Sequence, residues 1–244
     1  MNETPSNNGS PSYVAELRGI SKTYFKPDGT VLVEALRHID VNIPHGEYVA
    51  IMGASGSGKS TMMNILGCLD QPTEGTYLLD GKDVARMDDD ELSRVRGRKI
   101  GFIFQAFNLI SELTIVDNVE VPLFYQGVPK KERRVQAIEK LKMVGLGDRL
   151  THRPNELSGG QQQRVAVARA LVTSPSFIMA DEPTGNLDTK TGVEILELIS
   201  DLHNQGITIL VVTHDQRVAD RCERIIWLTD GEVESDRKVE KAVS

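Results

Sequence analysis

Residues Tyr48 to Thr61 read YVAIMGASGSGKST, an apolar run of strand length that breaks into glycines, a lysine and two hydroxyl side chains. Gly53, Gly58, Lys59 and Ser60 fit G-x-x-x-x-G-K-[ST], a pattern that average residue frequencies place in a chain of this length about once in a hundred. A plain glycine-rich turn is the alternative, and the strand and helix that a phosphate loop requires both flank it. From Gly53 through Ala54, Ser55, Gly56, Ser57 and Gly58, the backbone N–H groups are free to turn inward around a polyphosphate. A helix starting near Gly58 adds its positive N-terminal end. Lys59 is expected to reach the β- and γ-phosphates, Ser60 to offer its hydroxyl to Mg²⁺, and Thr61 to add a further phosphate contact. The pattern implies a nucleoside triphosphate and leaves the base open.

Outward from this loop, four more apolar runs of strand length, KIGFIF, FIMAD, TILVV and RIIWL, alternate with helical stretches. That alternation predicts crossover units and a mainly parallel sheet covered on both faces, an α/β fold of the P-loop NTPase type. Before the loop, short alternating runs from Tyr13 to about Val49 are broken at Pro27, Asp28 and Gly29 and again at Pro44, His45 and Gly46, which predicts an antiparallel β layer. Asp88 to Arg98 and Thr114 to about Arg149 are charged and helical in composition, and a helical subdomain is expected over about 106–160. The single domain is expected to span 13–233, after a polar, disordered leader at 1–12 and before a charged, frayed tail at 234–244.

Ligands of open parallel sheets sit beyond the carboxyl ends of the strands. FIMADE ends there in Asp181, which suits a Mg²⁺ position, and in Glu182, which points elsewhere and could polarise a water in line with the γ-phosphate. An acidic turn, Asp-Glu-Pro, is the bland alternative. TILVV ends in Thr213, His214 and Asp215; the histidine could contact the γ-phosphate, while Thr213 or Asp215 caps the next helix. Leu157, Ser158, Gly159, Gly160 and Gln161 read LSGGQ and open an apolar helix, a second anion-binding helix start in the same chain.

Composition narrows the partners. The 244 residues carry 28 Lys+Arg against 35 Asp+Glu, a net charge of −7, which is the opposite of the basic footprint that nucleic-acid backbone binding needs. No apolar stretch approaches the roughly 20 residues needed to cross a bilayer. Cys68 and Cys222 lack metal-ligand spacing and read as free thiols in a reducing compartment.

With GASGSGKST, LSGGQ and FIMADE on one chain, the sequence resembles the ATP-binding subunits of ABC transporters from about Tyr13 to Val233. The resemblance implies an ATPase that takes ATP and Mg²⁺. It identifies Gln105 in FIFQAF as a sensor of Mg²⁺ and the attacking water, Tyr24 in SKTYF as the ring that stacks on adenine, and His214 as the switch histidine. Asp188, in GNLD, is identified as a bridge between two sites. It further implies that two copies pack head to tail, each ATP lying between the phosphate loop of one and the signature residues of the other, an arrangement that suits twofold symmetry.

NVEVPLFYQGV, HRPNELSGGQQQRVAVARALV and ADEPTGNLDTKTG resemble the branch that includes macrolide exporters, lipoprotein-releasing complexes and the bacterial cell-division ATPase. On that resemblance the membrane-spanning permease is expected as a separate chain, with a periplasmic adaptor as an optional third component. This chain would then sit on the cytoplasmic face of the membrane. A regulatory ATPase of a division or envelope-remodelling complex is the alternative. The apolar residues from Phe107 to Tyr125 are divided between core and docking surface, with Phe107 to Leu113 the docking candidates.

Overall fold

The computed structural model describes residues 13–240; the expected leader at 1–12 and the last four residues lie outside the described residues. Two sheets organise the chain. The first is antiparallel, in the order β2 (Val31–Pro44), β1 (Tyr13–Phe25), β4 (Glu74–Leu79) and β5 (Lys82–Asp83). The second has the order β10 (Glu232–Lys238), β9 (Arg224–Thr229), β3 (Tyr48–Gly53), β8 (Thr208–Val212), β7 (Phe177–Asp181) and β6 (Ile100–Ile103). The five apolar runs form its parallel part, and β10 is its one antiparallel strand.

Side chains alternate across this sheet, as the twofold period of a strand requires. Tyr48, Ala50 and Met52 of β3, with Ile178 and Ala180 of β7, face one apolar cluster; Val49, Ile51, Phe177 and Met179 face the other. The first cluster is closed by α3 (Ile115–Tyr125), α4 (Lys130–Met143), α5 (Gly159–Leu171) and α6 (Thr189–Asn204). The second is closed by α1 (Lys59–Leu66) and by the antiparallel layer. Burial on both faces explains why β3, β7 and β8 read as unbroken apolar runs rather than as alternating ones.

Several boundaries differ from expectation. Asp89–Lys99 is a helix, α2, but its buried Leu92 joins the cluster of the antiparallel layer, and it meets the helical region only at its end, where Gln126 after α3 donates to the Gly97 carbonyl at 2.8 Å. The third helix of the helical region runs to Leu171, past the expected end near 160, because its second half is buried core. The expected boundary at Val233 falls inside β10, so the tail is paired rather than frayed as far as Lys238. A run such as ESDRK has no apolar pattern to announce a strand. It is held by its backbone ladder and by Arg224, which donates to both carboxylate oxygens of Asp236 at 2.6 and 2.5 Å.

Candidate functional site

The strands β3, β8, β7 and β6 lie side by side, and their carboxyl ends carry in turn the phosphate loop, His214, the Asp181–Glu182 pair and Gln105. Topology thus gathers residues that are far apart in sequence onto one sheet edge. At the loop, Gly53 has φ +148°, and a Cβ there would stand 2.2 Å from the Leu228 carbonyl oxygen, so only glycine fits. Gly58, at φ +100°, precedes α1, which has no side-chain cap on its first N–H groups. Lys59 folds back over the loop and donates to the carbonyls of Gly53 and Ala54 at 2.8 and 2.7 Å. Gly56, Gly58, Lys59, Ser60 and Thr61 line a cleft of about 440 Å³ with Val33 of β2. Ser57 is buried there, and its hydroxyl has no partner among the described residues.

Tyr24 stands at the end of the antiparallel layer. Its hydroxyl donates to Asp70 at 2.9 Å, and burial together with the Asp70 carboxylate pushes that hydroxyl's pKa upward. Lys22 donates to the other Asp70 oxygen at 2.6 Å and lies over the Tyr24 ring at 4.9 Å. Sequence reasoning missed Lys22 and Asp70, since nothing local marks two residues that meet only when the layer folds.

A second cleft, of about 480 Å³, brings Gln105, Glu182, Asp188 and His214 together. Glu182 lies in the left-handed region, φ +42°, and its carboxylate accepts from Thr213 Oγ1 at 2.9 Å and from the His214 backbone N–H at 2.9 Å. The His214 ring nitrogen Nδ1 stands 2.6 Å from the same carboxylate. Asp215 caps α7 (Gln216–Ala219) through the Arg217 N–H, which is the capping reading of this turn, while the His214 ring meets Glu182. Asp181 is half-buried, and burial, followed by repulsion from Glu182, lifts its carboxyl above the usual range.

Gln105 lies across Gly185, where a Cβ would meet its Nε2 at 2.4 Å. The Asn186 side chain holds it from the far side, donating to the Gln105 carbonyl at 3.0 Å. Asp188 caps α6, accepting from the Thr191 N–H and hydroxyl at 3.1 and 2.6 Å, and these bonds hold its carboxyl below the usual range.

Ser158 caps α5 in a reciprocal box with Gln161. Its side is exposed, whereas Gly160 is buried, and a Cβ there would meet the Thr191 methyl at 2.3 Å. Gly160 is thus needed for packing against α6. Neither Ser158 nor Gly159 lines the cleft at the phosphate loop of its own chain. No group of three or more His, Cys, Asp or Glu suited to a metal occurs among the described residues.

Between α2 and α3 a groove of about 770 Å³ is lined by Arg94, Arg96 and Arg98 of α2, by Pro122 and Tyr125 of α3, and by Phe102, Phe104, Asn108 and Arg169. Of the segment expected to dock a partner, only Asn108 reaches it. Leu109 packs against the core, and Ile110 is fixed by Asn118, which accepts from its N–H at 2.7 Å and donates to its carbonyl at 3.0 Å.

Residues 36–185 match the ABC transporter family. An uncharacterized ABC transporter ATP-binding protein of Thermotoga maritima is 58% identical over 221 residues, covering 91% of this chain and 94% of that protein. A macrolide export ATP-binding/permease protein, MacB, of Brucella melitensis biotype 1 is 54% identical over 90% of this chain, which spans 34% of that protein. Among solved structures, the dimeric ATP-binding cassette MJ0796 in a post-hydrolysis state with ADP and Pi superposes with a TM-score of 0.82. It is 50% identical over 93% of this chain and 100% of that one.

Proposed function

This chain belongs to the ABC transporter family of ATP-binding cassettes, and from that premise we propose that two copies close head to tail around ATP to drive a separate membrane-spanning subunit. It is an ATPase. The observation that carries the rest is the gathering of Gln105, Glu182, Asp188 and His214 on one cleft, at the sheet edge that also bears the phosphate loop.

In this reading Tyr24 stacks on the adenine, fixed at its hydroxyl by Asp70. Lys59 and the N–H groups of residues 53–61 hold the β- and γ-phosphates; the glycine cradle, which a Cβ at Gly53 would fill, and the unpartnered Ser57 hydroxyl both suit a polyanion. Ser60, Asp181 and Gln105 offer the oxygen donors that Mg²⁺ prefers and would hold it, and a bound Mg²⁺ would supply charge neutralisation to the phosphates. Glu182 takes a proton from water as the water oxygen bonds to the γ-phosphorus and the bond to ADP breaks. Such base catalysis is worth about 10²- to 10⁴-fold. Thr213 and the His214 N–H aim the carboxylate, and the His214 ring, held at Glu182 through Nδ1, is proposed to report the γ-phosphate. Ser158 and Gly159, exposed or half-exposed at the start of α5, meet that phosphate in the partner copy's site, with Gln161 holding the cap and Asp188 near the junction of the two sites.

The groove beside α2 is where the membrane partner docks, since it pairs apolar Phe102, Phe104 and Tyr125 with the cations Arg94, Arg96 and Arg98 and lies next to the loop of Gln105. No helix among the described residues is long and apolar enough to cross a membrane. The likeness to MacB supports an exporter or a mechanical transmitter acting on extracytoplasmic domains, with the cassette at the cytoplasmic face. Glu182→Gln tests the core of this reading. The variant is expected to bind ATP, to lose at least a hundredfold in turnover, and to accumulate as an ATP-bound dimer in size-exclusion light scattering. Ordinary turnover would remove Glu182 from the role of base.

A further inference from the structure

The helix α5 begins with the signature residues, and two polar side chains further along it reach into the loops of the catalytic cleft. Gln163 is fully buried and donates Nε2 to the Pro183 carbonyl at 2.6 Å, directly after Glu182. Arg169 donates Nη2 to the Phe107 carbonyl at 2.8 Å and Nη1 to the Asn108 carbonyl at 2.5 Å. Phe107 and Asn108 are two successive residues other than glycine in the left-handed region, φ +60° and +51°. That conformation is unfavourable for Phe107, though tolerated by Asn108, and a phenylalanine persists in it only where the surroundings impose it. Arg169 forms no ion pair among the described residues, so its charge is directed at these two carbonyls. Arg169, Phe104 and Asn108 also line the groove of about 770 Å³, so one guanidinium borders the groove and grips the turn that follows Gln105.

We infer that Arg169 is a positioning residue for Gln105: its forked guanidinium fixes the left-handed turn at Phe107–Asn108 and thereby sets where the Gln105 amide lies in the catalytic cleft. The planar fork matters, because two adjacent carbonyls need two donors held in fixed relation, which a single ammonium does not provide. This inference rests on the reading that Gln105 takes part in hydrolysis.

The test compares the full-length chain with Arg169→Met, Arg169→Lys, Gln105→Ala and the double variant Gln105→Ala/Arg169→Met, measuring kcat, ATP Kd and thermal unfolding for each. Arg169→Met is expected to lower kcat at least fivefold with ATP Kd within twofold. Arg169→Lys should fall between it and the parent, and the double variant should be no slower than Gln105→Ala alone. If the two losses multiply, or if Arg169→Met turns over like the parent, Arg169 does not act through Gln105 and the inference is overturned. If Gln105→Ala is itself fully active, the reading of Gln105 fails, and the inference with it. Should Arg169→Met not fold, Arg169→Lys carries the test: a reduced kcat that does not add to the Gln105→Ala loss supports the inference, and parental turnover overturns it.

Discussion

Glu182 combines a left-handed backbone with a carboxylate that accepts from Thr213 and His214, so its direction is fixed by its neighbours rather than by its own rotamer preference. Its charge also acts on Asp181, whose carboxyl is lifted first by burial and then by Glu182. Glu182→Gln is therefore expected to lower the Asp181 pKa part of the way toward the usual range, as followed by carboxyl NMR titration. No movement would mean that burial alone sets it. Asp70 shows the opposite balance: burial raises its pKa, but hydrogen bonds from Lys22 and Tyr24 and the Lys22 charge outweigh it, so the folded value lies below the ordinary one. A depressed folded pKa stabilises the fold above the unfolded-state value, and that contribution is lost as pH falls toward the folded value. Asp70→Asn should remove this acid-sensitive increment and loosen the Tyr24 ring. ATP binding should weaken by less than the roughly 1 to 3 kcal/mol that base stacking supplies, with kcat at saturation unchanged. Weaker acid sensitivity in urea unfolding without any change in ATP affinity would break the link to Tyr24. Residues such as Lys59, Glu182 and Ser158 were legible in the sequence because each stands in a contiguous pattern with its own chemistry. Asp70, Asn186 and Arg169 were not, and Thr213 was read only as a possible helix cap, since each acts through partners brought to it by the fold.

The elements carry this geometry through a few buried polar contacts. Asn118, fully buried on α3, binds both the N–H and the carbonyl of Ile110 and donates to the Thr114 carbonyl at 3.0 Å. It pins the end of the loop that begins at Gln105. Asn118→Leu removes these side-chain hydrogen bonds and should cost about 0.5 to 1.5 kcal/mol for each one not replaced by water, read as a shift of the urea midpoint. A change of a few tenths would mean that water or a backbone shift replaces the contacts. The five parallel strands were legible as apolar runs because both of their faces are covered. Strands β4 and β5 of the antiparallel layer, and β10, were not, because edge pairing through the backbone leaves little trace in composition. The signature glycines were read as an approach for an anion, yet Gly160 is also required by the contact with Thr191 on α6.

At the scale of the molecule, one chain holds two half-sites that do not meet within it: a phosphate-loop cleft, and a signature helix whose first residues face outward. The cassette MJ0796 to which this chain is similar is dimeric with ADP and Pi, which supports a site completed by a second copy. The net charge of −7 is spread unevenly: the groove proposed for the partner combines Phe102, Phe104 and Tyr125 with Arg94, Arg96, Arg98 and Arg169. Lys59→Ala is expected to weaken ATP binding, and Ser158→Arg to leave nucleotide binding intact while disabling only the site that its own signature faces; each alone should hydrolyse ATP at a few per cent of the parent rate or less. The most direct measurement is the ATPase rate of a mixture of these two inactive variants over a range of ratios. A composite site made from the intact phosphate loop of the Ser158→Arg chain and the intact signature of the Lys59→Ala chain predicts activity that appears on mixing and peaks near equal amounts. A mixture that stays as inactive as its components at every ratio would contradict a site shared between two copies.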